Sequence, residues 1–282
     1  MTGVPVRAEI TPVEPDPVST GEGRALVPRC LTIAGSDSGG GAGVQADLKA
    51  FAAAGCYGTS AIVALTAQNT TGVTAVHELQ LDFVRAQLDA VYDDIGVDAA
   101  KTGMLFSSSV IETVAEFLDR RSIPLVVDPV MIASSGARLL QDDAVETLVS
   151  RLFPLATVVT PNLYEAEALA GSGSRRELAE RIHELGAPSV VVTGGHGDEA
   201  VDHFFDGGRH VEIAVERYDT AATHGAGCTH SATFAAALAR GLSLEQAARE
   251  AARVAADAVR HGHAEIGAGD GPVDVLHLKG AA

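Results

Sequence analysis

Short apolar runs alternate with helix-like segments along most of this 282-residue chain, and no other feature constrains the fold as strongly. The apolar runs predict strands at 30–34, 59–64, 99–102, 125–128, 157–160 and 189–193. Segments with apolar residues at helical spacing predict helices at 42–54, 82–95, 108–120, 143–152, 163–170 and 174–185. Such alternation is typical of an α/β fold, in which a mostly parallel sheet is covered by helices on both faces.

The pattern changes in the last third of the chain. Two apolar runs, 201–205 and 210–215, flank the turn Asp206-Gly207-Gly208 and predict an antiparallel hairpin. Two alanine-rich helices are predicted to follow at 227–239 and 244–261. Ser243 and Gln246 have the spacing of a capping box at the start of the second one.

Residues 1–28 differ in composition from the rest, because five of the eleven prolines lie there. We predict a disordered N-terminal arm at 1–28 and a single folded domain at 29–282. An edge strand at 4–10 is the alternative for part of the arm.

Charge and composition argue against several classes of function. A net charge of −17 disfavours nucleic acid or an anionic membrane as the main partner. Aromatic residues make up only 4% of the chain and Trp is absent, which disfavours a base-stacking platform. The three cysteines are widely spaced and fit neither a disulfide framework nor a zinc motif, so they suit the reducing cytoplasm.

Glycine is concentrated at 35–43, directly after one predicted strand and before a predicted helix. Backbone N–H groups in such a loop can approach an anion or a polar ligand closely. A dinucleotide-binding loop is a weak match, because the acidic residue expected about 20 residues later is missing. A Walker A loop is excluded, since Gly-Lys-Ser/Thr occurs nowhere in the chain. A plain strand-to-helix turn is the alternative.

A second glycine-containing loop spans 223–229, just before the first alanine-rich helix. Gly225 and Gly227 can form an anion-binding nest, and His224 beside them is a candidate phosphate contact. Cys228 is expected in the first helical turn, where the helix dipole lowers the pKa of a thiol. The residues alone leave two readings of Cys228 open: a base or nucleophile, or a small buried apolar residue.

Further polar clusters follow predicted strands, and the carboxyl ends of strands are where open α/β sheets bind ligands. Residues 66–70 offer amides for a heterocycle, and Asp128 is placed for a metal or a phosphate. Asn162 or Glu165 can serve Mg²⁺ directly or through water. His196, in a glycine turn, is another candidate phosphate contact. A single carboxylate is more often a cap or a surface group, but several clusters at successive strand ends favour a site.

Seven segments together resemble the hydroxymethylpyrimidine/phosphomethylpyrimidine kinases of the ribokinase-like superfamily. The resemblance extends over about residues 30–275, and the segments are 31–49, 67–70, 101–105, 127–131, 160–163, 194–196 and 224–229. Gly-Gly-Ala-Gly-x-Gln-Ala-Asp at 40–47 combined with Gly-Cys-Thr at 227–229 separates this family from sugar kinases, which have Asp at the position of Cys228.

The resemblance implies a three-layer α/β/α fold without a separate lid domain, usually as a homodimer. It implies phosphorylation of 4-amino-5-hydroxymethyl-2-methylpyrimidine and then of its monophosphate, with ATP and Mg²⁺, in thiamine biosynthesis. By motif position, the pyrimidine pocket would be lined by Gly35, Asp47, Gln68, Met104 and Val130. Asp128 and Glu165 would face Mg²⁺ and the phosphates. ATP would be held by Asn162, Thr193, Gly195, His224 and Ala226, and the catalytic group would be Cys228 with the Gly225 and Gly227 nest.

Two residues depart from the family pattern. Members often have Lys where this chain has Thr193, and often Thr where it has Ala226. Backbone donors survive both changes. A pyridoxal or pyridoxine kinase is the nearest alternative function, because related enzymes share the cysteine-containing loop. A non-catalytic sensor and a nicotinamide-dependent oxidoreductase are more distant alternatives.

Overall fold

A computed structural model describes residues 26–132, 139–141, 143–195 and 199–279. Nine strands form one sheet in the order β3-β2-β1-β4-β5-β6-β7-β8-β9. Their ranges are β1 Arg29–Asp37, β2 Tyr57–Asn69, β3 Gly72–Glu78, β4 Ala99–Thr102, β5 Leu125–Val127, β6 Val158–Val159, β7 Val190–Val192, β8 Val201–Phe205 and β9 His210–Ala214. The six central strands, from β2 to β7 in that order, pair in parallel, whereas β3, β8 and β9 pair antiparallel at the two edges.

Helices cover both faces of this sheet. Their ranges are α1 Gly43–Ala53, α2 Leu81–Ala90, α3 Ser108–Leu118, α4 Ala144–Thr147, α5 Leu163–Ala170, α6 Arg175–Glu184, α7 Ala226–Ala239 and α8 Leu244–Arg260. α2 and α4 each continue into a π-helical turn, at Val91–Ile95 and Leu148–Leu152. None of the helices in the described ranges is long and apolar enough to cross a membrane.

Neighbouring residues of the central strands pack into different hydrophobic cores. Val127 and Val159 belong to a cluster with residues of α2 and α3, whereas Val126 and Val158 belong to a cluster with alanines of α7 and α8. Side chains alternate across a strand, so a strand that is apolar at every position must be buried on both faces. The predicted three-layer α/β/α fold with a mostly parallel sheet is thereby confirmed.

Side-chain caps fix where several helices begin. Ser243 accepts the N–H of Gln246, whose side chain accepts the N–H of Ser243, so the predicted capping box is confirmed. Ser174 with Glu177 forms the same arrangement at α6. Such caps satisfy N–H groups that have no partner within the helix.

The largest difference from the sequence prediction lies at the β3 edge. The strand predicted at 59–64 extends from 57 to 69, so residues 66–69 belong to β2 rather than following it. β3 was not predicted, and it returns along β2 after a turn in which Asn69 Oδ1 accepts the N–H groups of Thr71 and Gly72. Such an Asx turn reverses the chain in few residues. The predicted hairpin at the other edge, β8 and β9, is confirmed.

The predicted arm at 1–28 lies outside the described residues except for 26–28. Its separation from a single domain at 29–282 stays a prediction.

Candidate active site

The two glycine-containing loops meet at the carboxyl edge of the sheet. Gly225 precedes α7 in a left-handed conformation, with φ of 87°, and a Cβ there would overlap the carbonyl oxygen of Gly41. A Cβ on Gly41 would in turn overlap the imidazole of His224. Only glycine combines this backbone conformation with so close an approach. The contact places the start of α7 directly beside the loop that leads into α1.

Asp37 organises the first loop. Its Oδ1 accepts the N–H of Gly39 at 2.7 Å, and its Oδ2 accepts those of Gly41 and Ala42 at 3.1 and 2.9 Å. His224 Nε2 also lies 2.9 Å from Oδ2. Burial alone would raise the pKa of Asp37, but the imidazole and the backbone N–H groups outweigh it and the pKa is lowered. Sequence reasoning missed this role of Asp37, which joins the two loops.

A buried cation lies beneath the loops. Lys101 of β4 and Asp47 of α1 have no exposed side-chain surface, and Lys101 Nζ lies 3.0 and 3.1 Å from the two Asp47 oxygens. Thr32 donates to Asp47 Oδ2 at 2.6 Å. Burial opposes the charge on Lys101, but Asp47, Cys228 and Asp128 outweigh it and raise its pKa. Lys101 is therefore a fixed positive charge, and sequence reasoning assigned it no role.

Asp128 follows β5 and extends the charged cluster towards the loops. Its N–H donates to the carbonyl of Thr102 at 3.0 Å, which places it at the same edge as the end of β4. Its Oδ2 accepts the Ser231 hydroxyl of α7 at 2.8 Å and lies 3.8 Å from Lys101 Nζ. Asp47, Lys101 and Asp128 thus form a row of alternating charge. The row begins beneath the first loop and ends at the middle of the sheet edge.

Glu165 and Asn162 form the capping box of α5. Glu165 Oε2 accepts the N–H of Asn162 at 2.9 Å, and Asn162 Oδ1 accepts the N–H of Glu165 at 3.0 Å. Burial, and then the negative charge of Asp128, raise the pKa of Glu165 to about 8. Two buried carboxyl groups that repel each other in this way provide oxygen ligands suited to a divalent cation. The donor set therefore fits Mg²⁺.

Cys228 is the third residue of α7 and is partly buried. The expectation that the helix start lowers its pKa is wrong. Burial raises the pKa of the thiol to about 12, and although Lys101 opposes this change, Asp47 and Asp128 reinforce it. The helix dipole lowers the pKa of a thiol by less than burial and two nearby carboxylates together raise it. The structure places Cys228 close enough to the charged cluster to interact with all three of its members.

Two residues assigned to the pyrimidine pocket lie side by side. Gly35 donates its N–H to the carbonyl of Met104 at 3.0 Å, and a Cβ on Gly35 would overlap the Met104 methyl group. Gln68 is half-buried in β2, where Thr66 donates to its Oε1 at 3.0 Å. Ser38 connects Gln68 to the first loop through hydrogen bonds to its backbone carbonyl and N–H group.

Val130 and Asp47 are the other two residues assigned to the pyrimidine pocket. Val130 is half-buried, two residues after Asp128. Asp47 Oδ1 accepts from Lys101 and Asp47 Oδ2 from Lys101 and Thr32, and a direct contact of Asp47 with a ligand stays a prediction.

Most residues assigned to ATP lie along two neighbouring strand ends and at the start of α7. Thr193 forms a β-bridge with Asn162, and its N–H donates to the carbonyl of Pro161. Gly195 is exposed, and no atom of the described residues lies within 4 Å of a Cβ built there. His224 is buried and its ring is engaged with Asp37, while Ala226 is half-buried. His196 lies outside the described residues. Contacts of these residues with ATP stay predictions.

Replacing Gly225 by alanine is expected to inactivate and destabilise the protein, because a Cβ there would overlap the Gly41 carbonyl. Gly241 is the matched control: its φ is 82°, but a Cβ added there would meet no atom within 4 Å in the described part of the chain. Gly241→Ala should cost only the left-handed strain of roughly 1–2 kcal/mol. Urea unfolding of both variants separates strain from overlap. Equal losses of stability would contradict the close contact between the loops.

Comparison with known proteins finds similar proteins over most of the chain. The family model described as phosphomethylpyrimidine kinase matches residues 37–274. A hydroxymethylpyrimidine/phosphomethylpyrimidine kinase of Rhizobium meliloti (strain 1021) is 49% identical over 261 residues, covering 88% of this chain and 96% of that protein. The thiamine biosynthesis bifunctional protein ThiED of Geobacter sulfurreducens is 48% identical over 261 residues, covering 89% of this chain and 53% of that protein.

A solved structure is also similar. The ADP complex of Bacillus subtilis pyridoxal kinase superimposes with a TM-score of 0.82 and 38% sequence identity. The match covers 90% of this chain and all of that one. Since the family model spans residues 37–274, which is most of the chain, the chain belongs to the phosphomethylpyrimidine kinase family.

Proposed function

We propose that this protein transfers the γ-phosphoryl group of ATP to the hydroxymethyl group of 4-amino-5-hydroxymethyl-2-methylpyrimidine, and then transfers a second one to the resulting monophosphate, in thiamine biosynthesis. The observation that carries this proposal is the meeting of the α7 start with the cluster of Asp47, Lys101 and Asp128 at the sheet edge. Lys101 of β4 brings positive charge and the start of α7 brings backbone donors, while Asp47 of α1 and Asp128 after β5 bring carboxylates. The family membership and the names of the relatives support the same reaction.

Phosphoryl transfer needs charge stabilisation and alignment more than covalent chemistry. The N–H groups at Gly225, Gly227 and Cys228 lie at the start of α7, where a helix carries partial positive charge. They would bind the transferring phosphoryl group as negative charge develops on it. Lys101 contributes a full positive charge from below. Asp128 and Glu165 would hold Mg²⁺, which would offset the charge of the nucleotide phosphates when bound.

The acceptor hydroxyl must lose its proton as its oxygen bonds to phosphorus and the bond to ADP breaks. Cys228 is the group in the nest that would take this proton, which requires a thiolate. Burial and then the two carboxylates raise the pKa of this thiol to about 12, and neutralising Asp128 would remove part of that effect. Binding of Mg²⁺ at Asp128 would therefore make Cys228 a better proton acceptor. The monophosphate is already ionised, so its phosphorylation depends less on Cys228.

Separate parts of the site would bind the two substrates. On the pyrimidine side, Gln68 would supply an amide, Met104 and Val130 would supply apolar contact, and Gly35 would allow close approach. On the nucleotide side, Asn162, Thr193 and Gly195 would contact ATP, with His224 and Ala226 at the nest. Thr193 brings no charge to the nucleotide, so the phosphates would depend on backbone donors and on the metal.

Pyridoxal phosphorylation is the second candidate, favoured by the similarity to Bacillus subtilis pyridoxal kinase. Comparing kcat/KM for the hydroxymethylpyrimidine and for pyridoxal, under saturating ATP and Mg²⁺, tests the two against each other. We expect the pyrimidine to be the better substrate. A higher kcat/KM for pyridoxal would retain the kinase site but replace the proposed substrate.

Replacing Glu165 by glutamine should raise the Mg²⁺ concentration needed for half-maximal rate at least tenfold, because the variant removes one anionic oxygen ligand. The amide keeps an oxygen that can accept the N–H of Asn162, so the α5 cap can persist. Glu177→Gln makes the matching change in the capping box of α6, far from Asp128, and should leave this requirement unchanged. An unchanged Mg²⁺ requirement in Glu165→Gln would remove Glu165 from the metal site.

The proposal includes a homodimer in the cytoplasm. Exposed large apolar side chains support an interface with a second copy, namely Tyr57 and Leu65 of β2 and Phe83 of α2. The three free thiols suit a reducing compartment. Sedimentation equilibrium measures the oligomeric state directly.

A further inference from the structure

A cluster of two imidazoles and one carboxylate lies at the C-terminal end of α8. Asp257 and His261 are four residues apart and therefore share one face of the helix. His277 approaches them from the segment that follows, with its Nε2 2.9 Å from Asp257 Oδ2. His261 Nδ1 lies 3.4 Å from Asp257 Oδ1. One potential ligand atom from each residue lies within 4.8 Å of the other two.

Hydrogen bonds to and from Asp274 hold the backbone around His277 in place. Asp274 accepts the N–H groups of Leu276 and Leu278, at 2.9 and 2.6 Å, on either side of His277. The N–H of Asp274 donates to the carbonyl of Ala258 at 2.9 Å, which fastens this turn to α8 itself. His277 has a φ of 53°, a conformation that few residues other than glycine adopt. These contacts therefore fix the backbone from which the imidazole projects.

We propose that Asp257, His261 and His277 bind a divalent transition metal ion of the zinc class. Two imidazole nitrogens and a carboxylate oxygen form a ligand set that suits Zn²⁺, Co²⁺ or Ni²⁺ better than Mg²⁺, which prefers oxygen ligands in octahedral geometry. Ligand atoms around a tetrahedral zinc ion are separated by about 3.3 Å, given bonds of about 2.0 Å. His277 Nε2 and His261 Nδ1 lie 2.9 and 3.4 Å from the two oxygens of Asp257, and these distances bracket that value.

The position of the cluster determines how a metal ion can enter and which elements it would connect. The side chains of Asp257, His261 and His277 are 37%, 40% and 53% exposed, so an ion can enter from solvent. A bound ion would join α8 to the C-terminal turn. The same segment backs the loop before α7, because Val273 donates to the carbonyl of His224. None of the three residues belongs to the proposed kinase site, and metal binding here does not depend on the reaction catalysed.

The test uses the full chain without an affinity tag, in buffer containing millimolar Mg²⁺, titrated with Co²⁺ and followed by visible absorption. We expect one Co²⁺ per chain, with the visible bands of a four- or five-coordinate site and no thiolate charge-transfer band. His261→Ala and His277→Ala should each weaken binding at least tenfold. His77, an exposed histidine of β3, is the matched control, and His77→Ala should bind as the unchanged chain does.

Two results would overturn the proposal. One is the absence of any one-to-one binding by the unchanged chain. The other is binding that survives in both His261→Ala and His277→Ala, as it would if the ion bound at Cys228 and gave a thiolate band. Thermal unfolding adds an independent readout, because a metal that binds the native chain raises the melting temperature. Zn²⁺ should raise it in the unchanged chain and in His77→Ala, but not in His277→Ala.

Discussion

Lys101→Met is expected to lower the free energy of unfolding by about 3–5 kcal/mol, because it leaves a buried carboxylate without its partner. Lys101 and Asp47 both have no exposed side-chain surface, so water cannot replace the lost cation. Asp128, 3.8 Å from Lys101, loses a compensating charge as well. Urea unfolding, followed by circular dichroism, measures the change.

Two further variants distinguish loss of charge pairing from loss of packing. Lys49→Met removes an exposed lysine whose Nζ donates to the carbonyl of Gly40, and it should change stability by less than about 0.5 kcal/mol. The double variant Asp47→Asn with Lys101→Met removes both buried charges and should recover part of the loss. If Lys101→Met is as stable as the unchanged chain, the buried ion pair does not exist as described.

Replacing Cys228 by serine or alanine should reduce turnover of the hydroxymethylpyrimidine by about 10²–10⁴-fold, the usual contribution of a general base. Turnover of the monophosphate should fall much less, because an ionised phosphate has no proton to lose. The measurement is kcat for each substrate at saturating ATP and Mg²⁺, so that the ratio of the two losses is obtained from one preparation.

Cys56 provides the control for the loss of a thiol. It is buried between α1 and β2, and its Sγ lies 3.8 Å from the carbonyl of Ala236, away from the charged cluster. Cys56→Ala should leave both turnover numbers nearly unchanged. Equal losses on the two substrates in the Cys228 variants would exclude Cys228 as the base and leave it a residue that shapes the nest.

The sequence predicted most of the sheet because several central strands, such as β5, β6 and β7, are apolar at every position. Val126 and Val127 pack into different cores, and a run of such residues indicates a strand buried on both faces. β3 was missed because an edge strand lacks that signal: Thr74, Ala75 and His77 are exposed. Asn69 before Thr70, Thr71 and Gly72 was the available sign of a chain reversal.

Site residues that follow a predicted strand could be predicted from the sequence. Residues whose role comes from a partner far away in the sequence could not. Asp128 was singled out because it ends an apolar strand. Lys101 was not, because its partner Asp47 is 54 residues away, although a lone lysine inside a strand predicted to be central is itself a signal. The predicted direction of the pKa change at Cys228 was wrong because burial, reinforced by Asp47 and Asp128 from other elements, depends on the whole fold rather than on the local sequence.

The central claim is that one protein performs both phosphoryl transfers. Its most direct test is to incubate the protein with the hydroxymethylpyrimidine, ATP and Mg²⁺ and to separate the products by ion-exchange chromatography over time. We predict that the monophosphate accumulates first and is then converted to the diphosphate, with two ATP consumed per pyrimidine. Contradiction would come from a pyrimidine that stays unphosphorylated while ATP is intact, or from a reaction that stops at the monophosphate.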